Sequence, residues 1–112
     1  MLVVEDDGDI ASLLTDILET EGYEPVAIAD ARDLDGKLEP RPHLVVLDLR
    51  LTRGGAEEII VALRKRGLGD VPVLLLSAAG DLADRARELG VTSYLEKPFE
   101  LDDLLVIVRQ LI

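Results

Sequence analysis

Leu44–Leu47 is a run of four apolar residues, with Pro42–His43 before it and Asp48 directly after it. Val73–Leu76 repeats the arrangement, introduced by Pro72 and followed by Ser77. A strand with one face in water alternates apolar and polar residues. These two do not, so both of their faces must be covered. That requirement selects a sheet buried between two layers of helices.

The intervening segments have the pattern of such helices. From Gly8 to Glu21 the residues Ile10, Leu13, Leu14, Ile17 and Leu18 recur at helical spacing, and Gly22 is placed to close the helix. Asp30 is placed to cap a second helix running to about Leu38, ahead of Pro40 and Pro42. Ala56–Arg66 carries Ile59, Ile60 and Leu63 on one face. Its basic end, Arg64–Lys65–Arg66, complements the helix dipole and Gly67 follows. Asp81–Leu89 is a polar helix ended by Gly90, and Leu101–Leu111 turns Leu104, Leu105, Val108 and Leu111 inward. Strands are expected at Leu2–Glu5, Glu24–Ile28, Leu44–Leu47, Val73–Leu76 and Thr92–Leu95, with Pro25 favouring an edge position for the second. The connections are too long for hairpins, so the strands run parallel through right-handed crossovers. The result is one doubly wound α/β domain with helices on both faces of the sheet.

At 112 residues the chain is long enough to bury a core without staples, and it contains no cysteine. Disulfides, thiolate metal sites and thiol nucleophiles are therefore excluded, and a cytoplasmic location is expected. No apolar run reaches the roughly 20 residues of a membrane helix, and MLVVEDD has none of the features of a signal peptide. The net charge of −11 argues against direct contact with nucleic acid or with anionic lipid.

Ligands of an open parallel sheet bind beyond the carboxyl ends of its strands. Those ends read Glu5–Asp6–Asp7, Asp48, Ser77 and Glu96–Lys97–Pro98. Taken singly, each has an ordinary explanation: a helix start, a turn aspartate, a cap, a solvated lysine. Four such coincidences at one edge are much less ordinary. Two carboxylates about 4 Å apart repel by about 4 kcal/mol at an effective dielectric near 20. Converging acids therefore call for cations. Lys97 supplies one charge, and an all-oxygen donor set suits Mg²⁺ for the rest. His43, at a strand start on the opposite edge, is read as a surface or packing residue.

VVEDD at the first strand end, LVVLD at the third, LLLSA at the fourth and YLEKPF at the fifth resemble, in order and along the whole chain, the receiver domain of bacterial two-component response regulators. The resemblance implies a flavodoxin-like (βα)5 fold with sheet order 2-1-3-4-5. It implies that Asp48 accepts a phosphoryl group from the phosphohistidine of a sensor histidine kinase or histidine phosphotransfer protein. Mg²⁺ would be held by Asp6, Asp48 and the backbone carbonyl of Arg50, with Glu5 acting largely through water. Ser77 and Lys97 would contact the phosphoryl group, and Ser77 and Tyr94 would switch the surface of the fourth helix, fifth strand and fifth helix, around Phe99, toward a downstream protein.

Several positions depart from the family pattern. Thr52 and Ala56 stand where family members commonly have proline and glycine, with Gly54–Gly55 between them. The Ser77–Lys97 span is shorter than usual. Thr92–Ser93 replaces an acidic pair used in dimerisation, so that dimer is not expected. Arg50 is an uncommon neighbour for the acceptor and is expected to reach the site mouth and alter the phosphoryl lifetime. A single receiver unit over residues 1–112 without an effector domain is expected. Two other readings stay open. One is a pseudo-receiver that binds partners without phosphorylation. The other is a phosphatase of the haloacid-dehalogenase type, whose nucleophile loop "DLRLT" nearly matches, but whose second aspartate is here Arg50 and whose nucleophile lies on the first strand.

Overall fold

The computed structural model describes residues 1–34, 36–37, 41–48, 55–77, 82–91 and 93–112. Along the chain these form β1 (Leu2–Val4), α1 (Gly8–Thr20), β2 (Val26–Ile28), a 3₁₀ turn (Ala31–Asp33), β3 (Val45–Asp48), α2 (Gly55–Lys65), β4 (Val73–Ser77), α3 (Leu82–Leu89), β5 (Ser93–Glu96) and α4 (Leu101–Leu111). All five strands are parallel, in the order β2-β1-β3-β4-β5. The doubly wound α/β sheet is as the apolar runs required.

Alternate residues of the central strands enter two separate cores. Leu2, Val4, Val45, Leu47 and Leu75 pack with Ile59 and Leu63 of α2 and with Leu82, Ala86 and Leu89 of α3. Val3, Val46, Leu74 and Leu76 pack on the other face with Leu14 and Leu18 of α1 and Leu104 and Val108 of α4. Each central strand is thus clamped from both sides. A strand end held this way is a rigid platform for whatever side chain stands there.

The boundaries shift where backbone chemistry intervenes. Pro25 has no N–H to donate, so β2 pairs only from Val26, whose N–H donates to the Met1 carbonyl at 2.8 Å. The second expected helix shrinks to the 3₁₀ turn among the described residues. Asp30 caps it as expected, accepting from the Arg32 N–H, but Gly36 lies at φ +79°, which no right-handed helix can pass through. The fourth and fifth helices of the sequence reading are therefore α3 and α4 here. β4 runs on to Ser77 and β5 to Glu96. Arg66 reaches back to the Ala62 carbonyl of its own helix, as a basic C-terminal residue should, whereas Arg64 donates instead to the Leu89 carbonyl of α3 at 3.1 Å. His43 is exposed at the start of β3, as read. The loop positions Arg50, Thr52, Gly54 and Thr92, on which several expectations fall, lie outside the described residues.

Candidate functional site

Beyond the end of β1, Glu5 continues the sheet by donating its N–H to the Ile28 carbonyl at 3.0 Å, and its side chain is buried. The next two acids have different surroundings. Asp6 is half-buried, whereas Asp7 is exposed and caps α1, its Oδ1 accepting from the N–H groups of Asp9 at 2.9 Å and Ile10 at 3.2 Å. Of the three adjacent acids, Asp7 carries the ordinary helix-starting role.

Asp48 and Ser77 are the last residues of β3 and β4, and both are buried. Lys97 follows β5, and its backbone N–H donates to the Ser77 carbonyl at 2.9 Å. From that anchor its side chain crosses the end of β4, a lateral distance of two strand spacings or roughly 10 Å between β5 and β3. Its Nζ then donates to Asp48 Oδ2 at 3.1 Å and lies 3.9 Å from Glu5 Oε1. One ammonium group thus serves two buried carboxylates on different strands.

That arrangement leaves Glu5 electrostatically strained. It is only 4% exposed, and in its ionised form neither carboxylate oxygen accepts a hydrogen bond from a described residue. Its pKa is raised from 4.5 to about 7. Burial is the main cause. The hydrogen bond that a protonated Glu5 makes to Asp48 comes next, then repulsion by the Asp48 charge, with Lys97 opposing and Asp6 adding to the rise.

Among the described residues no group of three or more His, Asp or Glu side chains is gathered to hold a metal ion. Glu5 and Asp48 meet at Lys97, and the half-buried Asp6 is close enough to add its charge to Glu5. A buried carboxylate lacking a donor, beside a second one already holding an ammonium, is a donor set that fits a hard cation. Arg50, whose carbonyl was expected to complete that set, is outside the described residues.

Tyr94 lies on β5 and is 44% exposed, opposite Leu75 in the sheet register. Phe99 is partly buried against the core shared by α1 and α4, so it is a packing residue of that face as well as a neighbour of Tyr94 in the chain. Asp30, beyond the end of β2, is a further buried acid that the sequence reading placed only as a cap. It also holds Arg32 in a two-pronged ion pair, Nε to Oδ1 at 3.2 Å and Nη2 to Oδ2 at 3.0 Å. The spacing of Asp30 and Arg32 was the available signal, and a turn cap hid it.

The family model for the response regulator receiver domain matches residues 1–109. The chain belongs to the response regulator receiver domain family. Similar proteins include the phosphate regulon transcriptional regulatory protein PhoB of Klebsiella pneumoniae, 34% identical over 97% of this chain and 49% of that protein. The transcriptional regulatory protein PrrA of Mycobacterium leprae is 37% identical over 100% of this chain and 49% of its own length. This receiver domain therefore spans about half the length of those regulators. Among solved structures, the receiver domain of NtrX from Brucella abortus superposes with a TM-score of 0.85 at 31% identity, covering 98% of this chain and 95% of that one. The chemotaxis protein CheY4 of Vibrio cholerae shares the fold, with a TM-score of 0.87 at 24% identity over 99% and 96% of the two chains. As a receiver domain, the chain is a signalling module of two-component systems. Among its described residues no helix is long and apolar enough to cross a membrane.

Proposed function

We propose that this receiver domain accepts a phosphoryl group on Asp48 from a phosphohistidine of a sensor kinase or phosphotransfer protein. The observation that carries the reading is the placement of Lys97 Nζ, 3.1 Å from Asp48 and 3.9 Å from the buried, donor-less Glu5. Structural burial of two acids around one lysine is costly and does nothing for the core. The surplus carboxylate is accounted for by a site that would hold Mg²⁺ and, with it and Lys97, a dianionic group.

In the proposed step an Asp48 carboxylate oxygen attacks phosphorus in line. The O–P bond forms as the N–P bond to histidine breaks, and the bonding pair stays on the imidazole, which leaves neutral because its other ring nitrogen already carries a proton taken up from solvent. Phosphoryl transfer depends on positioning and on neutralised charge, and the chain provides both. The strand end holds Asp48 still, Lys97 transfers its ammonium contact from the carboxylate to the arriving phosphoryl oxygens, and Ser77 donates its hydroxyl to them. Glu5, Asp6, Asp48 and the carbonyl of Arg50 would hold Mg²⁺, which when bound neutralises phosphoryl oxygen charge. The added charge of about −1.5 to −2 then draws Ser77 and Lys97 toward it. Those residues end β4 and follow β5, so the displacement passes to α3, β5 with Tyr94, and α4, where a downstream protein would bind.

Incubation with phosphoramidate, a small donor with the same N–P bond, tests the reading. Mass spectrometry of the intact chain is expected to show one phosphoryl adduct that requires Mg²⁺ and is absent from Asp48→Asn. A wild-type chain that stays unmodified with both phosphoramidate and a phosphorylated histidine kinase would instead support the pseudo-receiver.

A further inference from the structure

We infer that Arg64 of α2 is a latch that fixes the C-terminal end of α3, making α3 a lever that pivots about that end when its N-terminal end is displaced from the Asp48 site. The inference rests on the phosphoacceptor reading above and names the part of the fold that would turn phosphorylation into movement.

The starting point is how lightly α3 is held. It is eight residues long and buries Leu82, Ala86 and Leu89, the central one being a single methyl group. Its own ion pairs among the described residues, Arg85 with Glu88 and Arg87 with Asp84, lie within the helix. Beside its C-terminal end an open cleft of about 190 Å³, lined by Leu63, Leu68, Val73, Leu89 and Val91, lies between it, α2 and the strands.

Arg64 crosses this gap. Its Nη2 donates to the Leu89 carbonyl at 3.1 Å, one of the helix-end carbonyls that has no partner within the helix. Two glycines make room for the crossing. A Cβ on Gly90, which lies at φ +73°, would stand 3.0 Å from that same Nη2, and a Cβ on Gly69 would stand 3.3 Å from Arg64 Cγ. The guanidinium and the stem therefore each lie against a position lacking a side chain. Gly90 is required in any case by its φ at the helix end, whereas Gly69 has no such conformation and its missing side chain is what admits the Arg64 stem. The opposite end of α3 is the next described element after Ser77 in the chain, so only the C-terminal end of the helix carries this tie to α2.

Hydrogen exchange on the full chain separates the two ends. The Ala86 and Arg87 amides bond back to the first turn of α3. The Gly90 and Val91 amides bond to the Arg87 carbonyl at 3.1 Å and the Ala86 carbonyl at 2.8 Å, at its last turn. Phosphorylation with phosphoramidate and Mg²⁺ is expected to change exchange at Ala86 and Arg87 and leave Gly90 and Val91 as they were. Arg64→Met keeps a stem over Gly69 and removes the donor. It is expected to speed exchange at Gly90 and Val91 by roughly tenfold, the factor for a lost charge-assisted hydrogen bond, and to spread the phosphorylation response over the whole helix. Arg64→Lys should recover part of both effects. Unaltered exchange at Gly90 and Val91 in Arg64→Met would overturn the latch. A wild-type response equal at both ends, in protein carrying the Asp48 adduct, would overturn the pivot and leave the phosphoacceptor reading intact. Absence of the adduct would overturn that reading and the pivot with it.

Discussion

Replacing Glu5 by Gln should make the metal-free domain relatively more stable as pH rises, and the size of the effect follows from the site. Glu5 is 4% exposed, accepts no hydrogen bond from a described residue when ionised, and has its pKa raised from 4.5 to about 7. At pH 4 the carboxyl is protonated in both the folded and the unfolded chain, so it adds no pH-dependent term. Between about pH 4.5 and 7 the folded chain binds the extra proton. Stability contributed by this group is therefore lost as pH rises through that window, and the loss is complete above it. At about 1.4 kcal/mol for each tenfold change in proton affinity, it amounts to about 3 kcal/mol. A buried glutamine amide has its own desolvation cost, but that cost does not vary with pH. The stability difference between Glu5→Gln and wild type should thus move by about 3 kcal/mol in favour of the variant between pH 4 and pH 8. Urea denaturation in EDTA, fitted at each pH with a common m-value, measures it. A difference that stays flat across this range would refute the claim that Glu5 is held as a strained, buried charge.

The other predictions concern neighbouring residues. Added Mg²⁺ should raise the melting temperature of the wild type more at pH 8 than at pH 5, because the ion competes with the proton on Glu5; calorimetry at fixed Mg²⁺ checks the order. Lys97→Met should slow phosphorylation of Asp48 by on the order of 10²-fold, by removing the cation aimed at the arriving charge, and stopped intact-mass time courses will show it. Asp7→Ala should cost about 1 kcal/mol of stability through the lost α1 cap while leaving the rate of adduct formation at Asp48 unchanged, which separates the capping acid from its two neighbours. Leu75→Ala, at a fully buried position in β4, should cost about 2–5 kcal/mol in urea denaturation.

The architecture was legible because the two strands apolar on both faces admit few solutions. Leu44–Leu47 and Val73–Leu76 need cover on each side, and the helical repeats between them supply it. The strand-end residues were legible for a related reason: once the sheet is parallel, the residue after each apolar run must lie at one edge. The family resemblance singled out Glu5 and Asp6, but the residue pattern by itself did not reveal which acid does what. Nothing in "EDD" distinguishes Asp7, which turns outward to cap α1, from Glu5, which turns inward beside Asp48. That depends on where the first helical turn begins. The turn at Ala31–Asp33 was over-extended because Asp30 is a good cap, and a cap signal does not say how far its helix runs before Gly36. Arg64 keeps its expected place in the last turn of α2, and its second role was hidden for a comparable reason. A basic residue at a helix end fits its own dipole, and only the third dimension brings the Leu89 carbonyl within its reach.

The central claim is that Asp48, and no other acid at this edge, carries the phosphoryl group. Borohydride reduces an aspartyl phosphate to homoserine, so treatment of the phosphorylated chain followed by peptide mass mapping identifies the acceptor. The account predicts homoserine at position 48, dependent on Mg²⁺ during labelling. Homoserine at position 6 or 7, or a stable adduct that leaves residue 48 as aspartate, would contradict it.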